Sequence, residues 1–271
     1  MGVAMASRTA LGRSHAARIG DRFASVNAQP ASADPYEWCK LLGGLAIVFA
    51  LFQGLAHALG SDRGQAGVLV AAAVIAALVA AQGLLFGQSF RAALRSLGLG
   101  RPAGRGMIVA VCLSLLLLAV LPIYAAIRGA SLAAYPGWLW LLPGLFAQGG
   151  IAEEALFRGY LFGHLRRGRS FWHAAALATL PFALAHLYLL AVLPWPVAIA
   201  SVLLSTILAV PLARLFELGG NTIWPPALLH FTVQGAVKIL EVPGDTVMPL
   251  VWISASALIP YLAFYFNGAQ R

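Results

Sequence analysis

Two adjacent glutamates, Glu153 and Glu154, lie inside a long apolar stretch of the sequence. If that stretch spans a membrane, each charge costs about 2.5–3.5 kcal/mol on insertion scales, so a pair of them points to a function. Glu154 and Arg158 are four residues apart and share a helix face, which allows an ion pair. Glu153 is rotated about 100° from Glu154 and is free to act as a general base. The alternative is an ion pair that only locks two helices together, for which one acid would suffice.

Two further apolar stretches carry one histidine each. His186 follows Phe182 by four residues and His230 precedes Gln234 by four, so each pair occupies one face of a helix. Imidazole can take up and release a proton, and an amide can donate a hydrogen bond to an oxyanion. The blander interpretation is that the histidines are packing residues and that Gln234 holds two helices together. We interpret His57, near the end of the first apolar stretch, as interfacial.

The composition indicates that lipid surrounds most of the chain. Of 271 residues, 61% are hydrophobic and only 10% are charged, whereas soluble domains carry roughly 25% charged residues. Two cysteines, Cys39 and Cys112, lie in or beside apolar segments, and we expect buried, unpaired thiols. Eight segments are long enough to cross a hydrocarbon core about 30 Å thick, namely Leu41–Leu59, Ala66–Phe86, Met107–Ile127, Trp138–Leu165, Phe171–Leu193, Pro196–Phe216, Ile223–Leu240 and Val247–Phe266. We therefore predict an all-α polytopic membrane protein with about eight transmembrane helices.

The basic residues are unevenly distributed among the loops. If all eight segments cross and the N-terminus is cytoplasmic, fourteen lysines and arginines lie inside. Three lie outside, namely Arg63, Arg128 and Lys238, and Arg158 remains within a helix. This positive-inside pattern predicts that both termini are cytoplasmic. It also explains the net charge of +9 without nucleic-acid binding.

The simplest organisation has two parts. Residues 1–36 form a basic cytoplasmic tail that is disordered or lies on the membrane surface, and residues 37–271 form a single membrane domain. The tail has no apolar core of the kind that a secretory signal peptide requires. Counted along the helices at about 1.5 Å per residue, Glu153, His186 and His230 lie roughly 18, 24 and 13 Å from the cytoplasmic ends of their segments. We expect these side chains to meet in one cavity within the membrane, as in an enzyme active site.

Several classes of intramembrane protease are excluded by motif. The chain has no His-Glu-x-x-His sequence, so the zinc proteases that use it are excluded. No Gly-x-Ser-x-Gly elbow lies in an apolar segment. Beyond the tail and the first loop the only aspartate is Asp245, so a paired-aspartate protease is excluded as well.

The residues singled out above resemble the motifs of a known family, the CaaX protease and bacteriocin-processing (CPBP) family, also called the Abi family. The similarity lies in the order and spacing of three motifs, which are here Glu153-Glu154-x-x-x-Arg158, Phe182-x-x-x-His186 and His230-x-x-x-Gln234. The segment before the third motif, residues 221–226, is also similar to that family's sequences. The resemblance covers residues 137–235, and eight spanning helices fit the fold of the members that process CaaX substrates.

The resemblance implies an intramembrane glutamate-type endopeptidase and assigns roles by position. Glu153 with His186 would activate a water for attack on a peptide carbonyl. His230, with the residue at position 234, would stabilise the tetrahedral oxyanion. The supporting residues would be Glu154, Arg158 and Phe182. The resemblance favours metal-free catalysis with no cofactor, and a zinc ion held by Glu153, His186 and His230 is the alternative.

Gln234 departs from the family pattern, in which this position is usually Asn and sometimes Asp. The extra methylene moves the amide by about 1.5 Å, and misplacements of that size can cost about a hundredfold in rate. Either the cavity is adjusted to the longer side chain or the substrate differs.

The expected substrate is a membrane-associated peptide or protein that is cut near the cytoplasmic side. Candidates are a CaaX-like prenylated tail, a bacteriocin-like peptide and the C-terminal sorting segment of an exported protein. Two non-enzymatic alternatives stay open: a membrane scaffold or immunity protein, and a proton-coupled transporter that uses the intramembrane Glu and His residues. The high Ala, Gly and Arg content is compatible with a multi-pass protein of the bacterial inner membrane.

Overall fold

The computed structural model describes residues 35–241 and 247–266. The predicted basic tail, residues 1–36, lies outside these ranges except for its last two residues. The helices of the described part are α1 (Pro35–Ala58), α2 (Gly67–Phe86), α3 (Phe90–Ser96), α4 (Gly104–Arg128), α5 (Trp138–Leu145), α6 (Gly163–Leu165), α7 (Phe171–His186), α8 (Leu189–Val192), α9 (Trp195–Leu218), α10 (Trp224–Ile239) and α11 (Met248–Leu258). Two π-helical segments, π1 (Phe146–Ala152) and π2 (Ala155–Phe162), lie between α5 and α6, and a 3₁₀ helix (Ile259–Tyr265) follows α11. The only β pairing within the described residues joins β1 (Ala133–Ala134) to β2 (Leu240–Glu241) in antiparallel register.

Six helical segments of the described part are long and apolar enough to cross a membrane. They are Pro35–Ala58, Gly67–Phe86, Gly104–Arg128, Phe171–Val192, Trp195–Leu218 and Met248–Tyr265. The predicted all-α, multi-pass membrane protein is therefore confirmed. The count of eight is not, because residues 138–165 are divided into short α and π pieces and α10 has only 16 residues. The eight-helix count and the cytoplasmic position of both termini stay predictions.

Residues 138–165 form a continuous helical segment, the central run, at the middle of the bundle. It consists of α5, π1, the two glutamates, π2 and α6. π1 packs on α2 and α10, and π2 packs on α1 and α7. A Cβ at Gly150 would lie 2.9 Å from the carbonyl oxygen of Ala227, so only glycine allows α10 to approach this closely. π-helical turns are rare and occur frequently at functional sites, which directs attention to the residues between π1 and π2.

Alternate helix ends gather at two opposite faces of the bundle. The first, here called the arginine face, gathers the starts of α1, α4, α7 and α10 and the ends of α2, α9 and the central run. Contacts that join these ends include Arg166 Nε to Glu217 Oε1 at 2.6 Å, Trp224 Nε1 to Gly100 O at 2.7 Å and Ala103 N to Gly219 O at 2.9 Å. The basic residues of this face in the described part are Lys40, Arg91, Arg95, Arg101, Arg105, Arg166, Arg167, Arg169 and Arg214.

The second face, here called the β face, carries the β1–β2 pairing. Its contacts include Ser61 Oγ to Gln148 Oε1 at 2.6 Å, Arg63 Nη1 to Lys238 O at 2.9 Å and Tyr135 N to Ile239 O at 2.7 Å. The basic residues of this face in the described part are Arg63, Arg128 and Lys238. A helix of the length of α1, 24 residues, spans about 36 Å, so the two faces are separated by a membrane's thickness.

The outer surface of the bundle is rich in exposed apolar side chains, among them Leu84, Ile127 and Trp140. Cys39 and Cys112 are free thiols and lie on this surface, so the prediction that they are buried was wrong. Lipid tails are as apolar as a leucine-rich core, and an apolar stretch of sequence therefore does not distinguish a core position from a lipid-facing one.

Candidate active site

Glu154 and Arg158 form a buried ion pair on the central run. Arg158 Nη1 donates to Glu154 Oε1 at 2.8 Å, and the Glu154 side chain is fully buried. The four-residue spacing predicted this contact. An ion pair that is this well shielded from water is weakened little by solvent, and removal of either partner leaves the other charge buried and unpaired.

His230 lies between the two glutamates. Pro225 and Pro226 lie in the first turn of α10, and the helix then directs His230 at the central run. His230 Nδ1 is 2.7 Å from Glu154 Oε1, and its Nε2 is 3.8 Å from Glu153 Oε2. Because a carboxylate only accepts, Nδ1 carries the proton that is donated to Glu154. The 3.8 Å separation is longer than a hydrogen bond, so the Nε2 edge of the ring remains available to another group.

His186 ends α7 and has one ring nitrogen engaged. Its Nδ1 is 2.7 Å from the carbonyl oxygen of Phe182, to which it donates, so Nε2 is the nitrogen left to face the site. His186 and Glu153 line the same cavity, described below.

The Phe182 ring joins the three motifs at one point. The Arg158 guanidinium lies 4.3 Å from the ring centroid, and the rings of His186 and His230 lie at 4.7 and 6.4 Å. Phe182 is buried, so it fills the space among these groups and keeps their separations.

Gln234 is one helical turn beyond His230 and packs against the central run at Gly149. A Cβ added to Gly149 would collide with the Gln234 amide, so the glycine provides the room that the longer side chain needs. Gln234 Nε2 is buried and has no hydrogen-bond partner among the described residues. Buried amide donors are normally paired, so this N–H is available to a group bound in the cavity that Gln234 lines.

A cavity of about 890 Å³ connects these groups to the β face. Glu153, His186 and Gln234 line its inner part, whereas His230 and Glu154 lie behind Glu153 and do not line it. The exposed fraction of the side chain is 17% for Glu153 and 0% for Glu154. The side chains that we expected to meet in one cavity therefore form two layers, one that lines the cavity and one that supports it from behind.

Several lining residues were not anticipated from the sequence. They are Gln53, His57, Ser61, Asp62, Gln148, Tyr188 and Lys238. Gln53 and Gln148 could have been found from the sequence, because an amide inside an apolar segment is unusual. Lys238 could also have been found, since it is eight residues after His230 and so lies on the same helix face. His57, which we interpreted as interfacial, also lines this cavity.

The alternative of a zinc site can be compared with the geometry. Within the described residues, no group of three His, Cys, Asp or Glu side chains is arranged to hold a metal ion. Of the three side chains proposed for zinc, His230 donates to Glu154 through Nδ1 and keeps Nε2 3.8 Å from Glu153. Neither contact excludes zinc, because a zinc-bound histidine commonly donates its other ring N–H to a carboxylate, so the zinc alternative stays a prediction.

Comparison with protein families confirms the resemblance seen in the motifs. Residues 135–236 match the family model described as Type II CAAX prenyl endopeptidase Rce1-like. This segment contains all three motifs and coincides with the residues on which the resemblance to CPBP proteins rests. The match supports a membrane protease of the CAAX endopeptidase type. No curated protein and no solved structure matches the chain significantly.

Proposed function

We propose that the chain is an intramembrane endopeptidase that hydrolyses a peptide bond in a membrane-associated protein or peptide, with Glu153 as the general base. The observation that carries the proposal is the different position of the two glutamates. Glu154 is fully buried and bound by Arg158 and His230, whereas Glu153 lines a cavity together with His186 and Gln234.

The first step uses the groups that line the cavity. A water bound between Glu153 and His186 Nε2 loses a proton to Glu153 as its oxygen bonds to the carbonyl carbon of the substrate. The carbonyl π electrons move to the oxygen, which becomes a tetrahedral oxyanion. General-base assistance of this kind contributes about 10²–10⁴ in rate.

The oxyanion requires hydrogen-bond donors. Gln234 Nε2 is a buried donor without a protein partner among the described residues and lies beside the cavity. His230 does not line the cavity, so we assign it support of the oxyanion from behind Glu153 once its Nε2 also carries a proton, since Nδ1 already donates to Glu154. Glu153 lies 3.8 Å from that nitrogen and passes on the proton taken from water.

The second step breaks the carbon–nitrogen bond. The oxyanion collapses to a carbonyl, and the proton held by Glu153 or His230 moves to the leaving nitrogen. The new carboxylic acid passes its proton to the released amine, so the products are a carboxylate and an ammonium group, and Glu153 is ionised again. The net reaction consumes one water and needs no oxidant, reductant or metal.

We also propose that all eight apolar segments cross the membrane. The support is that the described helix ends alternate between the arginine face and the β face, the central run and α10 included. The central run contacts Gly64 and Gly67 of the β face at Gly144 and Leu145, and it ends beside Glu217 of the arginine face. The positive-inside rule then assigns the arginine face, and with it the N-terminus, to the cytoplasm.

The proposed protease activity is tested by comparing the membrane proteins that are cleaved by the wild type and by a Glu153→Gln variant. Membranes from cells that lack the protein are incubated with purified wild-type or Glu153→Gln protein in liposomes, and new peptide termini are identified by mass spectrometry. We expect new termini with the wild type and none with Glu153→Gln. Glu37→Gln is the matched control, since Glu37 lies on the arginine face in an exposed pair with Lys40. Termini produced equally by wild type and Glu153→Gln would refute the role of Glu153.

A further inference from the structure

The cavity that contains Glu153 extends in one direction only. From Glu153 and His186 it reaches Ser61, Asp62 and Lys238, all of which belong to the β face. Among the described residues, none of the basic residues of the arginine face lines it. Water and a peptide that reach Glu153 therefore come from the β face or from the lipid beside it.

The way from Glu153 to the arginine face is filled by side chains of π2 and α6. Tyr160, Leu161, Phe162 and Leu165 are all essentially inaccessible to solvent. Tyr160 also donates through its hydroxyl to the carbonyl oxygen of Lys40 at 3.3 Å, which ties π2 to the start of α1. Packing of this density leaves no room for a water path.

The basic residues are concentrated on the face to which the cavity does not open. In the described part of the chain the arginine face carries nine lysines and arginines, and the β face carries three. Two of those three, Arg63 and Lys238, donate to backbone carbonyl groups of the β face itself. The asymmetry does not depend on the tail, whose arginines are left out of these numbers. Short loops rich in arginine and lysine stay in the cytoplasm, so the β face is the non-cytoplasmic one.

From these observations we infer that the active-site cavity opens to the non-cytoplasmic side of the membrane and that the substrate is an exported polypeptide, cut after translocation. The inference rests on the proposed protease function and names the class of its substrate. It replaces the expectation that cleavage occurs near the cytoplasmic side. A prenylated cytoplasmic tail would be on the wrong side of the packed π2 segment.

The walls of the cavity specify the substrate further. Phe49 and Phe52 of α1 form one wall, and Leu189, Val192 and Leu193 in and after α8 form the opposite wall. These apolar side chains suit an apolar segment of the substrate that lies in the membrane, while Asp62 and Lys238 at the mouth suit its polar flank. The substrate class is an exported protein that is anchored by an apolar segment and is cut next to that segment.

Cysteine labelling tests the direction of the opening without any substrate. In a Cys39→Ser, Cys112→Ala background, single cysteines are introduced as Asp62→Cys at the mouth, Ala185→Cys on the cavity wall beside His186, and Arg101→Cys on the arginine face. Intact cells are treated with a membrane-impermeant maleimide, and total protein is measured after denaturation. Leu193→Cys, also on the cavity wall, is the reserve position in case Asp62→Cys is not inserted.

We expect labelling of the mouth and cavity-wall cysteines in intact cells, and labelling of Arg101→Cys only after permeabilisation, with at least a tenfold difference. Labelling of Arg101→Cys in intact cells, or protection of the mouth and cavity-wall cysteines there, would overturn the inference.

The substrate class is tested by the identities of the proteins that stay uncut in cells with Glu153→Gln. The inference requires secreted or non-cytoplasmic proteins with an apolar segment next to the cut. Cytoplasmic proteins in that set would overturn it and leave the protease intact. Unchanged cleavage with Glu153→Gln would instead remove the proposed function, whatever the labelling result.

Discussion

The two halves of the central run differ sharply although they belong to one continuous helical segment. The first half contributes Leu145, Gln148 and Gly149 to the cavity, and Gly149 leaves room for the amide of Gln234. The second half, π2, contributes only Phe157 to the cavity and is otherwise packed against α1 and α7, with Gly159 against the backbone of Leu97, the residue that follows α3. The two glutamates lie at the boundary between the halves. Successive turns of the central run therefore have different roles: the first half leaves space for a substrate, and the second half supports the charged glutamates.

The largest expected effects concern the two glutamates at this boundary. Glu153→Gln should lower kcat/KM by at least about a hundredfold, because it removes the general base, and should leave thermal unfolding nearly unchanged. Glu154→Gln should instead destabilise the protein by about 3–5 kcal/mol, because it leaves Arg158 buried without its counter-charge. Peptide cleavage and thermal melts in detergent, both on the same samples, separate the two outcomes. Equal losses of activity and stability in both variants would erase the distinction between the glutamates.

The next effect concerns the first half of the run. Gly149→Ala should lower kcat/KM by about ten- to a hundredfold, because the new methyl group displaces the Gln234 amide. Shortening that amide as Gln234→Asn removes the collision, so the double variant should be more active than the product of the single effects predicts. A double-mutant cycle on kcat/KM measures this coupling. Strict additivity would mean that Gln234 and Gly149 do not act together.

In the second half of the central run, a glycine-to-alanine substitution should lower the stability of the protein and not its activity. Gly159→Ala places a methyl group against the backbone of Leu97, which cannot move as a side chain can. We expect a destabilisation of about 1–3 kcal/mol with kcat/KM of the folded fraction within about twofold of wild type. Thermal melts and active-site-normalised rates check this. A selective loss of activity in Gly159→Ala would show that the halves are not functionally distinct.

The smallest expected effect is that of metal removal. Incubation with 1,10-phenanthroline or EDTA should change the rate by less than about twofold, since the proposed chemistry uses only side chains. The rate of peptide cleavage before and after dialysis, with added zinc as a control, measures this. Inactivation that zinc reverses would favour the set of Glu153, His186 and His230 as ligands.

Local spacing was enough to predict several features of this protein. The pair of Glu154 and Arg158 follows from a four-residue interval, because that interval fixes the relative direction of two side chains on a helix. The all-α membrane character follows from composition, since a chain with 10% charged residues cannot wet a soluble surface. The three short motifs, read from the sequence alone, all lie within residues 135–236, the segment that matches the family model.

Other features depend on how the helices pack, and only the tertiary structure decided them. His230 meets Glu154 across 76 positions of sequence, and Gln234 meets Gly149 across 85, so no local pattern contains either contact. The sequence also did not determine whether Cys39 and Cys112 are exposed, or to which face the cavity opens. In a membrane both the core and the surroundings are apolar, so hydropathy places a residue in the bilayer but does not tell which neighbour it faces.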